Sequence, residues 1–244
     1  MSKDSGAAQI DHYLASIEAL LDMMGKSKPY RGTLTPEQIA AGMNAAGRNA
    51  IRLLQDAELL LEAKRYPSAI ALAILAIEEA GKMPILRALS VAQDSDAIRQ
   101  SWRDYRSHER KNVMWLMPLY VLAGVRSLQR LRRLFDPKSV HPRRLDELKQ
   151  FATYTDCRDG RRWSEPPDVV DEDIARYIVR TARSLTKERA TSTREIELWI
   201  EHVGPVLEPA STEGLKAFWS AMEAEGLNSH HIDDIDAFLA KPTG

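Results

Sequence analysis

Apolar positions along this chain recur mostly at three- and four-residue spacing, and strict alternation is scarce. That pattern predicts an all-α protein. Ile10, Leu14, Ile17, Leu20 and Leu21 form one stripe and predict a first helix, ended between Gly25 and Pro29. Thr35-Pro36-Glu37-Gln38 has the form of a helix start, with Thr35 as N-cap and Pro36 in the first turn. Ile51, Leu54, Ala57 and Leu61 mark one face of a helix running to about Arg65, where Tyr66-Pro67 breaks it. The next segment, Pro67 to about Lys82, is apolar nearly all round in its first half. Such a helix belongs at the centre of a bundle.

A connecting helix is expected from Pro84, interrupted by the polar residues Gln93 to Asp96. The polar stretch Arg99 to Asn112 then leads into an apolar helix, Val113 to Val125, with a basic end carrying Arg126, Arg130, Arg132 and Arg133. Asp136 to Pro142 reads as a loop and Arg143 to Phe151 as a helix. Tyr154 to Pro167 reads as irregular or extended, with Asp159-Gly160 as a turn signal. Asp168 to Leu185 predicts a helix with Ile174, Tyr177, Ile178 and Leu185 turned inward. A further helix covers Glu195 to Val203 and stops at Gly204-Pro205. Another runs from Ser211 to near Gly226, and a short terminal segment carries Ile232, Ile235, Phe238 and Leu239.

Composition narrows the class. An apolar content of 44% with 28% charged residues over 244 positions is that of a globular protein able to bury a core. The longest apolar run, Ala69 to Ile77, falls short of the roughly 20 residues that cross a bilayer, so no membrane partner is expected. The chain opens polar, without a secretory signal. Cys157 is the sole cysteine, which rules out an intramolecular disulfide and a thiolate metal cluster. These features fit a cytoplasmic protein.

A net charge of -1 gives no global attraction to nucleic acid, but the charge is unevenly placed. From Arg99 to Lys149 there are 13 Lys/Arg against 5 Asp/Glu, a net of +8, which leaves -9 for the rest. A local basic segment suits a phosphate-rich ligand. A set of solvated helix faces with acids nearby in space would look the same in sequence.

Within that segment stands Arg103-Asp104-Tyr105-Arg106-Ser107-His108. Arginine grips phosphate oxygens in a planar fork, and histidine moves protons near neutral pH. Such a pair does phosphodiester chemistry without a metal. Five residues is not a same-face spacing on a continuous helix. The pair works better with Arg103 on a preceding turn, or with two copies meeting at a symmetric dimer interface. A helix beginning near Ser107 would place His108, Lys111, Asn112 and Trp115 on one face.

Upstream, Glu78-Glu79-Ala80-Gly81-Lys82 has a plain structural account. Glu78 or Glu79 pairs with Lys82, and Gly81 ends the helix. Its functional account is that the acids orient Arg103 or His108 from a neighbouring helix. His230-His231 with Asp233 and Asp234 is a weak metal-like cluster, and no metal site or cofactor is expected. The five tryptophans read as core or interface anchors rather than a base-stacking platform.

Three pieces together resemble the AbiV-type abortive infection proteins, a branch of the HEPN superfamily. One is Asn49-Ala50 and Leu53 to Ala57, followed by Tyr66 and Ala69 to Lys82. The second is Arg103 to Asn112. The third is Tyr154-Thr155-Asp156 with Asp159-Gly160 and Pro166. They span roughly residues 40 to 185. The resemblance implies an antiparallel helical bundle with additional N- and C-terminal helices. It also implies a homodimer. The N-terminal helix and the tail after Pro205 carry none of these motifs, and the expected division is a HEPN-like domain over 1–205 (core about 40–185) and a C-terminal helical extension over 206–244.

The resemblance also implies phage defence by a metal-independent endoribonuclease that acts as a toxin and shuts down translation, with RNA as the partner. A phage protein or an antitoxin would be a further partner. Arg103 and His108 match the motif arginine and histidine, and Asp104 the polar residue after the arginine. Ser107, Lys111, Asn112, Glu78, Glu79 and Lys82 would support the site or contact phosphate. The alternative is a non-catalytic binding protein of the same fold, acting by occupancy, because some HEPN branches have lost nuclease activity.

Overall fold

The computed structural model describes residues 12–22, 28–125, 131–136, 138–158, 160–186, 189–205 and 212–227. The segments around Gly25, Arg126 and Arg130, the tail with Ile232, Ile235, Phe238 and Leu239, and the His230-His231 cluster lie outside the described residues. The chain divides into two compact units, Met1–Gly32 and Thr33–Gly244. In the first, helix α1 (12–22) leaves Leu14, Ile17, Leu20 and Leu21 exposed.

The second unit begins with α2 (Pro36–Glu62), a single helix of 27 residues. Thr35 accepts from the Gln38 amide at 3.2 Å, and the Gln38 side chain accepts from the Thr35 amide at 2.9 Å. This reciprocal pairing satisfies two otherwise orphan donors. A tight turn with Lys64 at φ 58° reverses the chain into α3 (Tyr66–Ala80), so that α2 and α3 form a hairpin. Ala69, Ile70, Ala73, Ile74, Ala76 and Ile77 are each fully buried, which puts α3 at the centre of the bundle, as its all-round apolarity predicts. Its alanines let the neighbouring helices approach closely.

Helix α4 (Lys82–Ser90) is followed by α5 (Ser95–Arg106), capped by Asp94. The predicted interruption at Gln93 to Asp96 is the break between them. Helix α6 (His108–Lys111) follows a single extended residue, Ser107, at φ -84° and ψ 124°. The apolar stretch predicted as one helix from Val113 to Val125 is instead a 3-10 segment, Asn112–Leu116, then α7 (Met117–Leu122). Pro118 accounts for the division. It has no N–H to donate into a preceding turn but fits the first turn of a new helix.

Helix α8 (His141–Thr153) starts with Pro142 in its first turn. The segment read as irregular holds a small hairpin, β1 (Asp156–Arg158) against β2 (Arg162–Ser164), antiparallel with Cys157 opposite Trp163. Gly160 at φ 79° and Arg161 at φ 60° make its turn. Trp163 is exposed there and anchors no core. The helix expected from Asp168 is a short α9 (Pro166–Val169) and a separate α10 (Glu172–Leu185), capped by Asp171. Its buried stripe is Ala175, Ile178, Val179 and Ala182. Ile174 and Tyr177, expected inward, sit one position off that stripe and are exposed.

Helices α11 (Thr193–Val203) and α12 (Thr212–Ala224) complete the unit. The main core joins α2, α3, α8 and α10. A second cluster joins Ile39 and Met43 with Leu86, Leu89, Trp102 and Ile196. A third pairs Leu198 with Phe218 and Met222. Among the described residues, no helix is long and apolar enough to cross a membrane.

Candidate active site

The carboxylate of Glu78 lies at the C-terminal end of the central helix, only 3% exposed. A lone buried carboxylate would be costly, and here it is met by three nitrogens. Lys149 Nζ of α8 donates to its Oε1 at 2.5 Å. His108 Nδ1 of α6 lies 2.6 Å from its Oε2, and Lys111 Nζ lies 3.3 Å from the same oxygen. Lys149 also pairs with Asp146 at 2.8 Å and stands 3.4 Å from His108 Nδ1. Burial opposes the charge on Glu78, but the hydrogen bonds from Lys149 and His108 and the charges of Lys149 and Lys111 outweigh it. Its pKa is held below the ordinary carboxylate value. Burial likewise opposes the charge on Lys149, and its bonds to Asp146 and Glu78 outweigh that and raise its pKa.

This anchoring fixes the histidine. An ionised Glu78 accepts the Nδ1 proton, so Nε2 is the ring atom left to take or give a proton. The His108 side chain is 57% exposed, so its outer edge faces solvent while its inner edge is tied to the core. The arrangement is a buried acid orienting an exposed imidazole.

The local backbone follows from two residues. Ser107 caps α6 by accepting from the Arg110 amide at 3.3 Å. Gly81 is the second. It ends α3 at φ -64°, an ordinary right-handed conformation, so it is not a left-handed helix terminator. A Cβ at Gly81 would fall 1.9 Å from the Lys111 carbonyl oxygen. The glycine is there because the backbone of α6 lies directly on it. Gly81→Ala is therefore expected to lower folding stability by about 1–3 kcal/mol, the usual cost of overpacking, seen as an earlier urea midpoint.

The other sequence-predicted residues separate into two groups. Lys111 belongs to the Glu78 cluster and is buried. Asn112 beside it is fully buried, and its side-chain nitrogen and oxygen have no hydrogen-bond partner among the described residues. Glu79 and Lys82 pair with each other at 2.7 Å, and the Lys82 ammonium lies over the Tyr105 ring. Trp115, expected on the His108 face, points elsewhere. Its indole N–H donates to His141 Nδ1 at 2.9 Å. The His141 Nε2 bonds the Leu134 carbonyl at 3.1 Å, so both ring nitrogens are engaged. Burial lowers the His141 pKa against that second bond.

Arg103 does not touch His108. It is exposed in the last turn of α5 and donates to Gln100 at 2.6 and 3.1 Å, one helix away from the imidazole. Asp104 accepts from Gln100 at 2.7 Å and lies 3.6 Å from Arg110. Much of the local basic charge is matched in the same way. Arg99 pairs with Asp96, both Arg143 and Arg144 pair with Glu147, and Lys111 and Lys149 are committed to Glu78.

Lys149 and Asp146 are the members that sequence reasoning missed. Glu78 and Lys149 are 71 positions apart, and no spacing rule connects them. Glu78, His108 and Asp146 each offer an atom within 4.8 Å of the others, as metal ligands would. The Lys149 ammonium already stands among all three, and a divalent ion would have to displace it.

Comparison with known proteins gives a family match. The model of the HEPN AbiV family, described as AbiV, matches residues 38–187, which include α2 from its third residue, all of α3, α6 and α8, and every residue of the Glu78 cluster. No curated protein and no solved structure matches the chain.

Proposed function

We propose that this chain, which belongs to the AbiV family of abortive-infection HEPN proteins, is a metal-independent RNA endonuclease whose proton-transfer group is His108. The observation that carries the reading is the buried Glu78 carboxylate holding an exposed imidazole by Nδ1. In the proposed reaction His108 Nε2 takes the proton of a ribose 2′-hydroxyl. The 2′-oxygen attacks the adjacent phosphorus and the bond to the 5′-oxygen breaks. That oxygen leaves with a proton, from the same imidazole or from its counterpart in a second copy. The products are a 2′,3′-cyclic phosphate and a 5′-hydroxyl. DNA, lacking the attacking hydroxyl, is not cut.

Arg103 would stabilise the charge that builds on the phosphorane oxygens. It lies on the helix before His108 and among the described residues bonds only Gln100, so its fork is available to a phosphate at little cost. The separation of the two side chains within one protomer favours a site completed by a second copy of the chain. Lys111 and Lys149 are then positioning residues, because both ammonium groups are buried against Glu78. A toxin that shuts off translation in infected cells would need no more than this centre and access to RNA.

The test is incubation of the purified chain with total cellular RNA in excess chelator. Cleavage that persists and leaves cyclic phosphate and 5′-hydroxyl ends supports the reading. RNA or protein binding without cleavage would replace it with action by occupancy.

A further inference from the structure

Ala80 and Gly81, next to the Glu78 anchor, also form part of the wall of a cavity of about 630 Å³. That volume lies within the range of pockets that enclose a small organic ligand. Five methionines line it, Met43, Met83, Met114, Met117 and Met222, and Phe218 and Trp219 add aromatic surface. Methionines refit around bodies of different shape, and the rings offer flat apolar contact. One wall is pre-formed. The Asn44 amide pairs both ways with the Thr191 backbone, donating to the carbonyl at 2.9 Å and accepting from the amide at 2.8 Å.

The polar lining has one sign in excess. Arg87 and Arg189 share a single carboxylate, Glu195, which Arg189 Nη2 meets at 2.6 Å and Arg87 meets through Nη2. Arg87 is held further by the faces of Trp199 and Phe218. Arg48 is exposed on α2 and makes no hydrogen bond or ion pair among the described residues. Among the described residues, three guanidinium groups face one carboxylate and leave the lining cationic, with Arg48 as the uncommitted fork. An apolar chamber with a free arginine selects an anionic head on an apolar body.

We propose that this cavity is a binding site for a small amphipathic organic anion. The apolar body lies among the methionines, Phe218 and Trp219, and the anionic head lies on Arg48. The site is separate from the RNA-cleaving centre and does not depend on it, although the two share Gly81 as a common wall.

The full-length chain would be titrated with anilinonaphthalene sulfonate, an anionic aromatic probe, and with phenylnaphthylamine, its neutral counterpart. The expected result is one saturable sulfonate site per chain, at least about tenfold tighter than the neutral probe. In Arg48→Gln, which leaves every described hydrogen bond and ion pair in place, most of that preference should be lost. Hydrogen exchange should slow on sulfonate binding in residues 80–83 and 114–117, which line the cavity. Absence of saturable binding overturns the proposal. So does equal affinity for both probes in the unmodified chain, or protection confined to other segments.

Discussion

Glu78→Ala is expected to lose about 3–5 kcal/mol of folding stability, the scale seen when one partner of a buried ion pair is removed. The substitution strips Lys111 of its one carboxylate and leaves Lys149 with Asp146 alone, and both ammonium groups stay buried. Glu78→Gln keeps one oxygen to accept from Lys149, but it loses the charge and turns the oxygen facing His108 and Lys111 into an NH2 donor, so it should fall between alanine and the unmodified chain. Urea titrations of the three proteins check the order. An alanine variant as stable as the parent would show that the cluster does not hold α6 and α8 to the central helix.

The same cluster fixes a pH dependence. The folded Glu78 pKa lies below its ordinary value of 4.5, so the unfolded chain takes up that proton more readily. The advantage over Glu78→Gln is therefore full above about pH 4.5 and is lost as the pH falls through the folded value. The folded Lys149 pKa lies above its ordinary 10.5, so the contribution of Lys149 is full below that pH and is lost as the pH rises through its folded value.

The sequence signals that held are those confined to one turn or one helix. Thr35, Pro36 and Gln38 announce the start of α2 within four residues, and the all-round apolarity of α3 announces its place at the centre. Ser107 announces a helix start just before His108. In the Glu78-Glu79-Ala80-Gly81-Lys82 run the contacts of Glu78 with His108 and of Glu79 with Lys82 were legible, and the reason for Gly81 was not. Gly81 reads as a terminator, and its reason is the Lys111 carbonyl of a segment 30 positions later. Glu78 reads either as a partner for Lys82 or as an acid orienting Arg103 or His108 from a neighbouring helix, and it holds His108 together with Lys149 and Lys111. Pro118 was visible inside the apolar stretch, yet only the observed division into a 3-10 segment and α7 shows what it does. What was not legible depends on which helices meet, and periodicity along one helix is silent about that.

His108→Ala is expected to reduce RNA cleavage by about 10²–10⁴-fold, the usual contribution of a general acid or base. Its effect on stability should be far smaller than that of Glu78→Ala. The ring is 57% exposed, and Glu78 keeps both lysines after its removal, so only about 1 kcal/mol for one hydrogen bond is at stake. Arg103→Ala should also abolish cleavage while barely moving the urea midpoint, since among the described residues Arg103 bonds only an exposed neighbour on its own helix. Mixing the two inactive variants then separates a site within one protomer from a composite one. If one copy's Arg103 serves the other's His108, each mixed dimer carries one site with both residues intact. Random reassortment makes half the dimers mixed, so about a quarter of the parental activity should return. If both residues of a site come from the same chain, no mixed dimer has an intact site and no activity returns. Full cleavage by the His108→Ala protein alone would remove the imidazole from the mechanism, leaving Glu78 and its lysines as a purely structural anchor.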